Sequence, residues 1–318
     1  MKKTGQMTRR EFLAVGVAGT GAVVLTASGL LSLPKSALAV TARSFTLRAR
    51  EGTIRTVHSK TLYAMGFADA DGLFSVPGPV LWANEGDPLT VTLVNESPQG
   101  HSFVIDGVVS GATVLAGGSG SFLFTAPHAG TYVYYDPLDH PLNRALGMYG
   151  ALVVTPSDGS NHVWAGGPAF ANQFLQVISE LDETWNTAAG NGQPVNTAVY
   201  RPNYFFINGR GSPDSESDPN AHIMGLMGQT ILIRWANAGL VPHSMHTHGF
   251  HFKIVQQNGM PETAFREKDN VPVYPGDTMD VTMYFDQKGL YPIHDHILMA
   301  NTGNGVYPNG IMGMLNVA

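Results

Sequence analysis

The chain has 318 residues, a formal charge of −6 and no cysteine. Without cysteine there are no disulfides, iron–sulfur clusters, thiolate zinc sites or thiol nucleophiles, and none of the thiolate that a blue-copper centre requires. The first 39 residues carry five Lys/Arg against one Glu, or +4, so the rest holds −10 of the total; an acidic body with no basic patch argues against nucleic acid as a partner. Gly 37 and Pro 20, beside only 13% charged residues, read as turn-rich β structure, and no long amphipathic helical period runs through the body.

Residues 1–39 read as an export signal. Thr8-Arg9-Arg10-Glu11-Phe12-Leu13 resembles the twin-arginine motif, and a Gly/Ala-rich apolar run from Ala14 to Leu33 leads to Ala37-Leu38-Ala39, an A-x-A-like cleavage site. The run is long enough to span a bilayer, but its small residues and the cleavage site favour removal, which leaves a periplasmic or secreted protein with no stable membrane span. The body begins at Val40. Residues 44–50 alternate, with Phe45, Leu47 and Ala49 on one face, and predict a strand. Further strands are predicted over 89–95, 119–125, 131–135 and 150–155, after turns at 76–81 and 85–88. Residues 156–168, rich in Ser, Gly and Asn, read as a linker, so the division is a first domain over 40–157 and a second over 158–318. In the second, strands are predicted over 173–181 and 230–237, then through a His-rich segment, after Pro275-Gly276-Asp277, through a second His cluster, and over 311–317.

The His-rich segments carry the chemistry. Residues 240–252 hold His243, His246, His248 and His251, and His294 and His296 flank Asp295 near the C-terminus. Residues i and i+2 of a strand share a face, so His246 and His248 aim together, as do His294 and His296. If the two strands are neighbours, four imidazoles converge, and neutral imidazole suits copper, zinc, iron or nickel. A lone histidine is usually a surface or hydrogen-bonded core residue; histidines in two spaced clusters fit that explanation poorly. His251 falls on the opposite face of a regular strand and reads as packing or as a residue supporting the metal ligands. Met299, Met312 and Met314 read as core, since Met fills irregular interiors.

The two halves repeat each other. Residues 101–107 lie over 243–249, and residues 130–137 over 289–296. Short strands with turn signals, occurring twice, predict an all-β chain of two Greek-key β-sandwiches.

These residues resemble a two-domain multicopper oxidase, built from two cupredoxin domains. Pro77-Gly78-Pro79 before Glu85-Gly86-Asp87 is similar to the opening of that family's first domain, and Tyr204-Phe205-Phe206-Ile207-Asn208-Gly209 to an element early in its later one. His243, His246 and His248 with Gly249 form its H-x-x-H-x-H-G motif, and His294-Asp295-His296 stands where it has H-C-H. The resemblance implies a type 1 ligand at His243, a type 2 ligand at His246 and type 3 ligands at His248, His294 and His296. It also implies trimers with metal at subunit interfaces, where His101 or His140 of the first domain approaches the site. The departures are as informative. Asp295 replaces the type 1 cysteine, and no histidine near Ala300 supplies the other type 1 ligand. In the first domain Val104 and Asp106 replace two histidines, and Tyr135, Asp136 and Pro137 replace H-C-H, leaving His101 alone. Asp295 is expected to fill the vacated pocket beside His243, as a hydrogen-bonded plug or a weak metal site.

Two functions follow. One is an exported copper-dependent oxidoreductase without blue copper, binding one or two copper ions and meeting dioxygen or a small-molecule substrate directly; zinc is the weaker candidate. The other is a non-enzymatic periplasmic scaffold or metal-binding protein on a cupredoxin frame.

Overall fold

The structure is a computed structural model that describes residues 40–57 and 59–318. The export signal expected over residues 1–39 lies outside the described residues. Among them, no helix is long and apolar enough to cross a membrane.

The first half contains β1 (Arg43–Arg55), β2 (Thr61–Ala68), β3 (Leu81–Asn84), β4 (Pro88–Asn95), β5 (Val104–Ile105), β6 (Ser119–Thr125), β7 (Gly130–Tyr135), the short helix α1 (Leu142–Ala145) and β8 (Tyr149–Thr155). They form two sheets, ordered β2-β1-β4-β6 and β3-β8-β7-β5. Strict alternation explains β4: Leu89, Val91, Leu93 and Asn95 turn inward while Thr90 and Thr92 stay half-exposed. Leu47 and Val91 of one sheet meet Tyr134, Leu152 and Val154 of the other in one core.

The second half repeats this plan with additions. Its strands are β9 (Asn172–Leu181), β10 (Tyr204–Ile207), β11 (His222–Gly225), β12 (Thr230–Asn237), β13 (His243–Thr247), β14 (Phe252–Gln257), β15 (Met260–Lys268), β16 (Asn270–Val273), β17 (Thr278–Tyr284), β18 (Gly289–Asp295) and β19 (Met312–Val317); α2 (Glu183–Gly190) follows β9. The sheets are ordered β10-β9-β12-β17-β14-β15 and β11-β19-β18-β13-β16. Stripped of β14, β15 and β16, they have the same neighbour order as the first pair. Parallel β1·β4 answers parallel β9·β12, and parallel β3·β8 answers parallel β11·β19. The chain is thus the all-β pair of sandwiches that its repeat predicts.

A further apolar cluster joins the halves: Val133, Tyr149, Ala151 and Val153 bury against Leu175, Val177 and Ala236. Polar ties reinforce the seam. Buried Arg234 donates to Asp280 Oδ2 at 2.6 Å, Thr131 Oγ1 donates to Asp280 Oδ1 at 2.7 Å, and Arg144 Nε donates to the Ala238 carbonyl at 2.7 Å. A buried charge with its partner removed is costly, so these groups are held as a set.

Candidate metal centre

In β13 and β18, antiparallel neighbours, His246 stands directly opposite His294 and Met245 opposite Asp295. Because side chains alternate across a strand, Met245 and Ile293 point into the core while His246 and His294 point away from it. His248 lies just past the end of β13. There Gly249 takes φ +76°, where a Cβ would meet the Tyr291 ring at 2.4 Å, and Thr247 Oγ1 donates to the Phe250 carbonyl at 2.8 Å. His248 N–H donates to Pro292 O at 3.0 Å, which keeps the residue beside β18.

The outcome is a convergent group. One nitrogen each from His246, His248 and His294 lie within 4.8 Å of one another. His248 Nε2 and His294 Nε2 are 3.0 Å apart, a distance that needs a proton or a cation between two lone pairs. Nδ1 of His246 donates to Asp269 O at 2.7 Å, and Nδ1 of His294 donates to Asp295 O at 2.8 Å. Asn301 Nδ2 braces the same Asp295 carbonyl at 2.7 Å. Such bonds fix the tautomer and leave Nε2 as the donor, the outer-shell arrangement typical of metal-ligating histidine. An ion ~2 Å from each nitrogen needs donors within about 4 Å, so closing the widest gap takes under about 1 Å of ring movement. Burial, then the neighbouring His246, His294 and His296, push the His248 pKa down, which favours the neutral ligand form. The donors are all imidazole, which suits a transition metal better than calcium or magnesium.

His296 is exposed and flanks this group, its ring 5.1 Å from His246 and 6.2 Å from His294. His251 is exposed beyond the turn, outside any strand, so the regular strand expected to carry it stops at Thr247. Met299 is 65% exposed, which corrects its assignment to the core: the 3-10 turn Leu298–Asn301 buries Ala300 and Asn301 instead.

His243 is not brought to the group. On the inward face of β13, its side chain is fully buried between two carboxylates, with Nδ1 2.6 Å from Asp295 Oδ2 and Nε2 3.1 Å from Glu180 Oε2. Burial alone would lower its pKa, but hydrogen bonds to Asp295 and Glu180 outweigh it and raise the value to about 9. As an imidazolium, His243 donates from both nitrogens. Asp295 Oδ1 accepts from the backbone N–H of Ser244 and Ile297 at 3.0 and 2.8 Å. Glu180 Oε1 accepts from Leu240 N–H at 2.6 Å and the Tyr200 hydroxyl at 3.2 Å. The expected hydrogen-bonded plug is therefore present, with Glu180 as a member that the sequence reading missed. Its one signal is a carboxylate inside the apolar run of β9, among buried Ile178 and Leu181.

The first half has a matching pair. His101 Nδ1 lies 2.6 Å from Asp136 Oδ2, and its Nε2 lies 2.6 Å from Ser97 Oγ. Asp136 Oδ1 accepts from Ser102 and Leu138 N–H at 3.1 and 3.0 Å, as Asp295 does from Ser244 and Ile297. With no exposure and both nitrogens engaged, His101 cannot reach across an interface, contrary to expectation. On the outward face, Val104 stands opposite Tyr135 as His246 stands opposite His294. The Tyr135 hydroxyl donates to Asp106 at 3.0 Å where His248 meets His294.

The sequence matches two multicopper oxidase family profiles, over residues 74–159 and 189–308. It is 30% identical to a copper-containing nitrite reductase from Alcaligenes xylosoxydans xylosoxydans over 251 residues, 71% of this chain and 74% of that protein. It is 24% identical to laccase-17 from Arabidopsis thaliana, covering 91% of this chain but 51% of the laccase, so it spans about half the length of that relative. The structure superposes on the blue copper oxidase of Nitrosomonas europaea with a TM-score of 0.76 at 23% identity, covering 87% of this chain and 86% of that one. The sandwiches are accordingly cupredoxin-like.

Proposed function

Because the chain belongs to the multicopper oxidase family, we propose that it is an exported oxidoreductase that binds copper on His246, His248 and His294 and has no thiolate copper centre. The observation that carries this reading is the convergence of three imidazole nitrogens within 4.8 Å. For such donors copper(II) outranks zinc. His296, beside His246, would extend the site for a second ion. Bound copper would supply a one-electron redox couple and a Lewis acid. The chain's own part is to hold the rings: the carbonyls of Asp269 and Asp295 keep the Nδ1 protons of His246 and His294, and Asn301 fixes the second carbonyl. With Cys absent from the chain, substrate or dioxygen would have to meet the copper directly, and the exposed rings of His248 and His296 leave that side open. Assembly as a homotrimer belongs to this reading.

Copper analysis and electron paramagnetic resonance of protein isolated from its native host test it. The expected result is a stoichiometric copper signal that is lost in the His246→Ala, His294→Ala double variant. Folded protein without copper, or copper indifferent to that variant, overturns it. The latter outcomes favour the second reading, a periplasmic scaffold. One observation supports that alternative: each half holds a buried His–Asp pair, His101–Asp136 and His243–Asp295, which needs no metal.

A further inference from the structure

A second concavity adjoins the histidines. The turn at Gly249, Phe250 and His251 forms one wall of the hollow that carries His246 and His248 and, on its other side, one wall of a cavity of about 530 Å³. That volume lies in the range of small-molecule sites. The cavity opens on the outer face of the six-stranded sheet, floored by Thr230 and Thr282, where the segment joining β8 to β9 reaches Pro168 and Ala169 and leaves the surface beyond uncovered.

Two rings bound this space without being consumed by the core. Phe265 is 46% exposed and Tyr284 57%. Trp164 braces Phe265 at a ring separation of 6.3 Å, nearly edge-on, so one wall is held in place. Half-open aromatic walls favour a flat aromatic ligand through ring contacts that add to burial, and their faces attract a cation. The charges give the ligand's sign. Lys253 and Glu267 are direct cross-strand partners and offset one another. Asp286 also lines the cavity and has no ion-pair partner among the described residues, so the balance is one negative charge.

We propose that this cavity binds a small aromatic ammonium compound, its ring between Phe265 and Tyr284 and its ammonium group against Asp286. The ligand sits one turn of chain away from His248. Its role as a substrate rests on the reading of the histidines as a copper site; its binding does not.

Isothermal titration calorimetry with tyramine, on the metal-free protein at low ionic strength, tests the inference. Tyramine is expected to bind with one saturable equivalent. Phe265→Ala and Asp286→Asn should each weaken binding about tenfold, and 4-hydroxyphenylacetate, the anionic counterpart, should bind at least about tenfold more weakly than tyramine. The His246→Ala, His294→Ala variant should keep its tyramine affinity. No saturable heat, equal affinity for the anion, or indifference to both cavity variants overturns the proposal. Copper binding without tyramine binding defeats this inference alone. Tyramine binding in a protein that takes no copper defeats the copper reading alone.

Discussion

The two repeats match on their inward faces and differ on their outward ones. Inward, the halves agree closely: His101–Asp136 and His243–Asp295 have the same 2.6 Å bond, and each carboxylate accepts from the serine N–H after its histidine. Outward, at the same register, one half has Val104, Tyr135 and Asp106 and the other His246, His294 and His248. The inward pair ties two strands together inside a closed core, where an unpaired polar group is expensive. The outward positions lie off that core: Asp106 and His248 are exposed, Tyr135, His246 and His294 half-buried, and Val104 alone is covered. The half that keeps its outward histidines is also the half whose inward histidine has a second carboxylate, Glu180, where the other offers Ser97.

Removing the inward carboxylate should produce the largest effect. Asp295→Ala leaves Nδ1 of a buried imidazole and two backbone donors unpaired, and should cost ~3–5 kcal/mol in urea unfolding; Asp136→Ala should destabilise in the same direction. A smaller effect from Asp295→Ala than from Asp136→Ala would show that Glu180 alone suffices for His243. The next effect depends on pH. The His243 pKa is raised from 6.5 to about 9, so the native state holds its proton more tightly than the unfolded chain. That stabilisation is complete below pH 6.5 and is lost as pH rises through about 9; it is on the order of 3 kcal/mol. Unfolding free energy measured from pH 6 to pH 10 should fall over this window, and His243→Gln should flatten the decline. Glu180→Gln keeps the shape of the side chain but removes one charge, and should cost ~1–3 kcal/mol while lowering the pH at which the decline is complete. Smallest is Tyr135→Phe. It removes a partly exposed bond to Asp106 and should change stability by no more than ~0.5–1 kcal/mol, with no change in copper binding by the second half.

The sequence is most legible where a period is written into it. H-x-H spacing placed His246 and His248 on one side, and the 101–107 over 243–249 alignment foretold a repeated sandwich, but not the His101–Asp136 pair, because His101 is expected at an interface. Alternation marked β1 and β4. It failed for β15, whose residues are nearly all exposed on both sides of an edge strand, and for β2, whose inner and outer faces are both largely covered. α2 was missed because it is a short helix fixed by Asp182, which accepts from Thr184 and Trp185 N–H, rather than by an apolar stripe. Glu180 was out of reach for a different reason. It lies 63 residues before His243 and on the opposite sheet, so only the packing of one sheet over the other reveals the partnership. Likewise the cavity by Phe265 and Tyr284 depends on where β14 and β15 fold back, which no local pattern records.

The seam between the sandwiches has one more consequence. Val133, Tyr149 and Val153 of the ligand-poor half form the other wall of a greasy joint, and Thr131 supplies a partner for the Asp280 that neutralises Arg234. Truncating the chain to its histidine-bearing half would therefore bare an oily flank and strip the Arg234–Asp280 pair of its Thr131 hydroxyl. The first half thus acts as a cover plate over the second.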